Sequence, residues 1–172
     1  EILIGLVGSE MCIRDSIRME EQHVRSYLQI QETRYHDIME YHILIDPELY
    51  GYQIPKMPLQ PIVENALYHG IKCKRSKGQI CIRGEKKQDL LILTVTDDGV
   101  GMEEADLQDL QKEIEKPCKQ TDRGFGLANV NERLHMYFGA EYGVKIASRP
   151  GEGTQVTIVI PAVHNVTGEA IT

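Results

Sequence analysis

Four short stretches of this chain carry residues able to do chemistry. Residues 93–107 read LTVTDDGVGMEEADL, an alternating apolar run that ends in two carboxylates, Asp97 and Asp98, and two glycines, Gly99 and Gly101. Ionised carboxylates only accept hydrogen bonds. Asp followed by Gly is also ordinary turn chemistry, because Gly tolerates positive φ and Asp bonds its own backbone. Upstream, LQPIVENALYHGIK spaces Asn65, His69 and Lys72 at i, i+4 and i+7, with Glu64 beside them. A helix there lines three polar groups along one flank. Downstream, KPCKQTDRGFG brings Gly124 and Gly126 to the start of a helical pattern at Leu127, and PGEGT sets Thr154 at the head of the last strand. Taken singly, each stretch is explained by a structural turn or a solvated helix face. No GxxxxGK[ST] string exists, so a P-loop is excluded.

These residues need elements to hold them. Arg18 to about Asp37 has apolar residues at roughly helical spacing, and Met39 to Asp46 alternates before the breaker Pro47. IPKMP, residues 54 to 58, forces an extended connection, since a residue before proline is pushed out of the α region. Leu59, Ile62, Val63, Ala66 and Leu67 then recur at i, i+3, i+4, i+7 and i+8, the cleanest amphipathic helix in the chain. KCKRSK, residues 72 to 77, reads as a solvated loop. Strands are predicted over 78–85 and 89–97, a helix from Glu103 to about Lys116, a loop over 116–126, and a helix from Leu127 capped by Gly139. GVKIASR and TQVTIVIP read as strands around PGEG, stopped by Pro161, and the last dozen residues as a tail.

Bulk properties narrow the function classes. At 172 residues the length suits one domain with a real core, and 26% charged with 41% hydrophobic residues is a globular composition. A net charge of -7 argues against a nucleic-acid partner, which needs phosphate-neutralising Lys and Arg on one face. Cys12, Cys73, Cys81 and Cys118 show no CxxC or zinc spacing, so a reducing compartment is the default. ILIGLV, residues 2 to 7, falls well short of a membrane span and lacks the flanks of a signal peptide. EMCIRDS, residues 10 to 16, matches what one frame of a transposase adapter used in sequencing libraries would encode. Native coding sequence is therefore expected to start near Ile17, with residues 1–16 an adapter artefact or disordered. Isolation of that peptide from protein made by the native genome would refute this.

In order along the chain, PIVENALYHG, DDGVG, RGFGL and GEGT resemble the ATP-binding boxes of the histidine-kinase, gyrase, Hsp90 and MutL superfamily. YLQIQETRY, IPKMPLQPIVENALYHGI and ERLHMYFGAEYGV resemble the flanking sequence of sensor histidine kinases of the YesM and LytS type, so the likeness covers roughly residues 18 to 162. It implies a two-layer α/β sandwich of the Bergerat type, a mixed sheet with helices on one face. It implies ATP and Mg²⁺ as cofactors, with Asp97 accepting the exocyclic amino proton of adenine and Gly99 and Gly101 letting backbone pass close to the base. Gly124, Gly126 and the helix N-terminus from Leu127 would meet the phosphates, Thr154 would pack or bond nearby, and Asn65 would offer an oxygen to Mg²⁺. Glu64 would assist proton handling, His69 would touch the phosphates, and a phosphate contact that many relatives make with Lys or Arg at the position of Tyr68 would be either lost or supplied by Lys72.

The same resemblance implies a protein histidine kinase whose γ-phosphoryl acceptor lies upstream, for relay to a response regulator. The subfamily's acceptor motif, similar to PHFLFN, is missing here; His36, followed by Asp37, and His23 read as surface histidines. Residues 17–37 are then the end of a dimerisation helix, 38–162 the catalytic domain and 163–172 a tail. The parent protein would be a homodimer in the bacterial cell membrane, with this part cytoplasmic and free of membrane contact. Two alternatives stand beside this reading: an ATPase or serine kinase of the superfamily using Glu64 to activate water, and a non-catalytic nucleotide-dependent interaction module.

Overall fold

A computed structural model describes residues 14–116 and 125–164. Strand β1 (Arg14–Ser16) leads into helix α1 (Ile17–Tyr35), where the Ser16 hydroxyl accepts the Met19 N–H at 3.3 Å and caps the helix. Strand β2 (Met39–Ile45) comes next, and strand β3 (Gln53–Pro55) pairs antiparallel with β1. The IPKMP segment is extended only at its start: Ile54 and Pro55 lie in β3, whereas Met57, just before Pro58, takes a left-handed φ of 57°. Helix α2 (Leu59–Asn65) continues into a π-helical turn (Ala66–Ile71), and β4 (Gly78–Lys87) and β5 (Leu90–Asp97) form a hairpin. Helices α3 (Glu104–Glu115) and α4 (Phe125–Phe138) and strands β6 (Gly143–Arg149) and β7 (Gly153–Pro161) complete the order.

The main sheet has five strands in the order β2-β4-β5-β7-β6, with β2 parallel to β4 and the other pairs antiparallel. Parallel neighbours need a crossover. Here the crossover contains α2 and the π turn, which carries Asn65 and His69 across the sheet. The mixed sheet with helices packed on it agrees with the sandwich implied by the sequence.

Alternation along β5 fixes what faces those helices. Leu91, Leu93 and Val95 are 0%, 1% and 2% exposed, and Asp97, next in the same period-2 row, is 4% exposed. Each fully buried aliphatic side chain contributes roughly 1.5–3 kcal/mol, so the three outweigh the several kcal/mol that burying one carboxylate costs. A one-residue slip would free Asp97 only by exposing all of them.

The ends of the chain's folded part differ from expectation. Gln53 N–H bonds Val163 O at 2.8 Å and Tyr52 bridges His164, so residues 163 and 164 extend the β1–β3 corner rather than beginning a tail. Within the basic loop, Lys74 pairs with Asp98 at 3.0 Å and Lys77 with Glu40 at 2.5 Å. Gly139 ends α4 with φ of 108°, the left-handed cap its position predicted.

Candidate functional site

Strand register places three side chains in one lateral row on the helix-covered face: Asp97 on β5 lies opposite Thr154 on β7, and Thr154 lies opposite Ser148 on β6. Above them is a cleft of about 480 Å³ floored by Val95, Ile146 and Val156. Asn65, Ala66, His69 and Gly70 border it from α2 and the π turn, Leu127 from α4, and Asp106, Asp109, Leu110 and Glu113 from α3. A mostly apolar cleft with a few convergent polar groups is the usual form of a small-molecule site.

Asp97 is the dominant polar group. Burial pushes its carboxyl up to about 6, while the backbone N–H groups of Gly99 and Thr154 pull it back down. Its Oδ1 accepts the Gly99 N–H at 2.9 Å. A carboxylate has about four acceptor positions, so capacity remains for a donor in the cleft. Its neighbour Asp98 has a different task, accepting the Gln79 N–H at 2.7 Å and pairing with Lys74. It ties the turn to β4 from outside the cleft.

Glycines let the roof reach this floor. A Cβ on Gly70 would collide with the Asp97 carboxylate, and one on Gly99 with the Gly70 backbone. Gly101, at φ of 66°, lies where a Cβ would strike Arg149 O, and Gly153, at φ of 94°, where it would strike Asp97 O. Side chains at Gly70 and Gly99 would separate the π turn from the β5 end, and side chains at Gly101 and Gly153 would part that end from the β6–β7 turn. Ser148 Oγ joins the two glycine turns: it accepts the Met102 N–H at 3.0 Å, donates to Gly153 O at 2.9 Å and contacts Thr154 Oγ1 at 2.8 Å.

Of the residues selected from sequence, Asn65, His69, Asp97, Gly101, Leu127 and Thr154 line the cleft. Gly99 stands directly behind it against Gly70, and Gly126 packs on Pro61. Gly124 lies outside the described residues. Glu64 and Lys72 are not brought to the cleft. Glu64 accepts from Gln60 Nε2 at 2.9 Å and faces Tyr27. Lys72 departs from the Asn65–His69 flank because the helix changes register: the Lys72 N–H reaches back five residues to Leu67 O at 2.9 Å. One extra residue in a turn rotates every later side chain by about 100° around the helix axis. The Lys72 ammonium instead sits 4.8 Å and 4.6 Å from the ring centres of Tyr35 and Tyr68 and bonds Tyr35 Oη at 3.2 Å.

Sequence reasoning missed Gly70, Ser148 and the acidic face of α3. Gly70 had a signal, a glycine interrupting an amphipathic helix. Ser148 had none, since its partners are set by strand register.

The family described as histidine kinase-, DNA gyrase B-, and HSP90-like ATPase matches residues 55–164. The chain belongs to that family. Among curated relatives of this ATPase domain, it is 35% identical over 145 residues to the sensor protein LytS of Bacillus anthracis, a match covering 84% of this chain and 24% of that protein. To the sensor histidine kinase YesM of Bacillus subtilis it is 32% identical over 151 residues, 88% of this chain and 24% of the relative. The chain thus spans about a quarter of the length of these relatives. Solved structures with the same fold include the histidine kinase domain of the Erythrobacter litoralis EL346 blue-light activated histidine kinase, with a TM-score of 0.60 at 19% identity, covering 87% of this chain and 64% of that one. The Acinetobacter baumannii histidine kinase AdeS gives 0.62 at 16% identity, covering 87% and 66%. Among the described residues of this ATPase-family chain, no helix is long and apolar enough to cross a membrane.

Proposed function

We propose that this chain is the Mg-ATP-binding catalytic part of a sensor histidine kinase, passing the γ-phosphoryl group to a histidine upstream of it for relay to a response regulator. The observation that carries the reading is Asp97, a buried carboxylate with acceptor capacity at the floor of a mostly apolar cleft. Ionised, it accepts an amino proton of adenine and is left unpaired by a ring that carries an oxygen there.

Charge orients the rest of the nucleotide. Asp106, Asp109 and Glu113 line the α3 side and repel phosphate. The triphosphate is directed toward Asn65, His69 and the N-terminus of α4 near Leu127, where backbone N–H groups suit an anion. Among the described residues no three His, Cys, Asp or Glu side chains are grouped to hold a metal by themselves. That fits Mg²⁺ carried on phosphate with Asn65 Oδ1 as a protein ligand, since this ion keeps water and phosphate in its shell. When bound, it would neutralise charge on the transferred group, and the protein's share of catalysis is then alignment. His69 is exposed at the cleft border, and in this reading it meets a phosphate oxygen. Relatives named as sensor histidine kinases support a response regulator as partner; a homodimeric, membrane-held parent is part of the same proposal. His36 and Asp37 follow the end of α1 instead of lying on it, and in this reading the acceptor is a histidine upstream.

Titration of the full chain with a fluorescent ATP analogue, with Mg²⁺ and with chelator, tests this. Magnesium-dependent binding that competes with ATP is expected, and then phosphoryl transfer once an upstream histidine segment from a relative is supplied. A folded chain that binds no nucleotide would sink the reading.

A further inference from the structure

The five-stranded sheet ends differently at its two edges. On β6 outward backbone groups are taken by side chains: Asn131 Oδ1 accepts the Val144 N–H at 2.8 Å, and Gln111 Nε2 donates to Ile146 O at 3.1 Å. On β2 they are not. Gly78 N–H bonds Ile38 O at 2.8 Å, and the parallel ladder that follows turns the backbone groups of Glu40, His42 and Leu44 toward β4. Met39, Tyr41, Ile43 and Ile45 therefore turn their N–H and C=O groups outward, and among the described residues no strand, loop or side chain bonds them. Natural sheet edges are blunted by lysine, proline, bulges or short strands. MEYHILI has none of these and pairs with β4 without a bulge over all seven residues.

We infer that the β2 edge is an interface between two copies of this chain, paired antiparallel about a two-fold axis at Tyr41 so that their sheets join edge to edge. The register follows from the side chains. It sets Tyr41 against the partner's Tyr41 and Met39 against the partner's Ile43, each pair exchanging both backbone bonds. On the open face it sets Glu40 opposite the partner's His42, and His42 opposite the partner's Glu40, at the closer spacing of pairs without backbone bonds. Lys77 holds Glu40 Oε1 at 2.5 Å, which leaves Oε2 for the imidazole N–H. An axis one residue along, at His42, would set imidazole against imidazole and the Glu40 carboxylate against Leu44. On the helix face the half-buried Tyr41 and Ile43 gain cover. The edge lies apart from the cleft, so the inference does not rest on the nucleotide reading.

Sedimentation equilibrium of the full chain tests it. The wild-type chain is expected to show a concentration-dependent equilibrium between monomer and dimer. Tyr41→Pro deletes the N–H at the axis, and proline is tolerated on an edge strand, so this variant should stay monomeric. His42→Glu sets like charges opposite each other at two places and should weaken the dimer about tenfold. Adding Glu40→His to it restores both pairs and should return the affinity to within about threefold of wild type. Circular dichroism and Tm identify any variant that fails to fold; should Tyr41→Pro fail, the exchange of Glu40 and His42 carries the test by itself. A wild-type chain that is monomeric at every concentration overturns the inference. So does a dimer that a folded Tyr41→Pro chain retains, or a double exchange that pairs as weakly as His42→Glu alone.

Discussion

Two buried carboxylates, Asp97 and Glu20, are built alike and used differently. Glu20, 1% exposed on α1, accepts the Met57 N–H at 3.0 Å and the Leu59 N–H at 2.9 Å, one on each oxygen. Burial pushes its carboxyl up to about 7, against the lowering pull of those two bonds. Asp97 shows the same balance at about 6. The difference lies in what else each one faces. Glu20 clasps α1 to the start of α2, closing off the N-terminal N–H groups of the helix that carries Asn65. Asp97 opens onto a cleft. A desolvated carboxylate is therefore not by itself a sign of function; spare acceptor capacity beside an open volume is what separates the two.

The strongest way to break this comparison is to remove the charge at each position in turn. Asp97→Asn replaces one acceptor oxygen with a donor, and affinity for ATP is expected to fall about 100-fold in the analogue titration, as when a buried polar contact is left mismatched. Thermal unfolding should show a loss of no more than about 1–3 kcal/mol, the penalty of one backbone N–H left without its acceptor. Glu20→Gln should leave affinity within about threefold of wild type, an allowance for context-dependent effects on distant sites. Equal losses of affinity in both variants would erase the distinction.

Proton uptake sharpens the same contrast. Asp97 accepts fully only when ionised, so ATP affinity should fall as pH drops through about 6. Below that value the loss approaches about tenfold per pH unit, since the competent fraction falls by that factor. Asp97→Asn should abolish the dependence. A profile that is flat from pH 7 to 5 in the wild-type chain would refute an acceptor role for this carboxylate.

How far these two residues can be read from sequence depends on the reach of their bonds. Asp97 bonds Gly99, two positions away, and the pattern strand, Asp, Gly, Gly displays that contact directly. The apolar alternation of β5 and the turn at Gly139 are legible for the same local reason. Glu20 meets partners 37 and 39 residues distant. In the sequence it is one of two adjacent glutamates on a polar helix, Glu20 and Glu21, with nothing to mark it. The π turn is hidden for a related reason. It depends on the approach of Gly70 to Gly99, a contact between elements, while the amphipathic repeat through Leu67 argues for an undistorted helix. That regular register puts Lys72 in the site, and the π turn moves it to Tyr35 and Tyr68.

Stability gives the comparison its third test. Gln at position 20 has one carbonyl oxygen for two N–H donors, so Glu20→Gln should cost about 1–3 kcal/mol near neutral pH, the penalty of one unsatisfied buried group. The wild-type pH dependence has a definite sign. From the ordinary carboxyl value of 4.5 up to about 7, the unfolded chain releases the Glu20 proton while the folded chain keeps it. Unfolding therefore becomes easier as pH rises through that window, by on the order of 3 kcal/mol, and the contribution is flat above about 7. Denaturant midpoints measured from pH 4.5 to 8 should show this decline in the wild-type chain and a flatter curve in Glu20→Gln. A wild-type curve that rises across the window would mean that the two N–H bonds outweigh burial, and the carboxyl would lie below its ordinary value.

The smallest effect is expected at Asp98, which the sequence presents as the twin of Asp97. Its side chain is 52% exposed and its ion pair with Lys74 is a partly solvated one. Such pairs are worth about 0.2–1 kcal/mol. Asp98→Asn keeps an oxygen for the Gln79 N–H, so stability should change by less than about 1 kcal/mol and ATP affinity by less than about threefold. A 100-fold loss of affinity here, of the size expected at Asp97, would show that the base is gripped from the outer side of the turn. The lateral row through Thr154 and Ser148 would then not be the floor of the site.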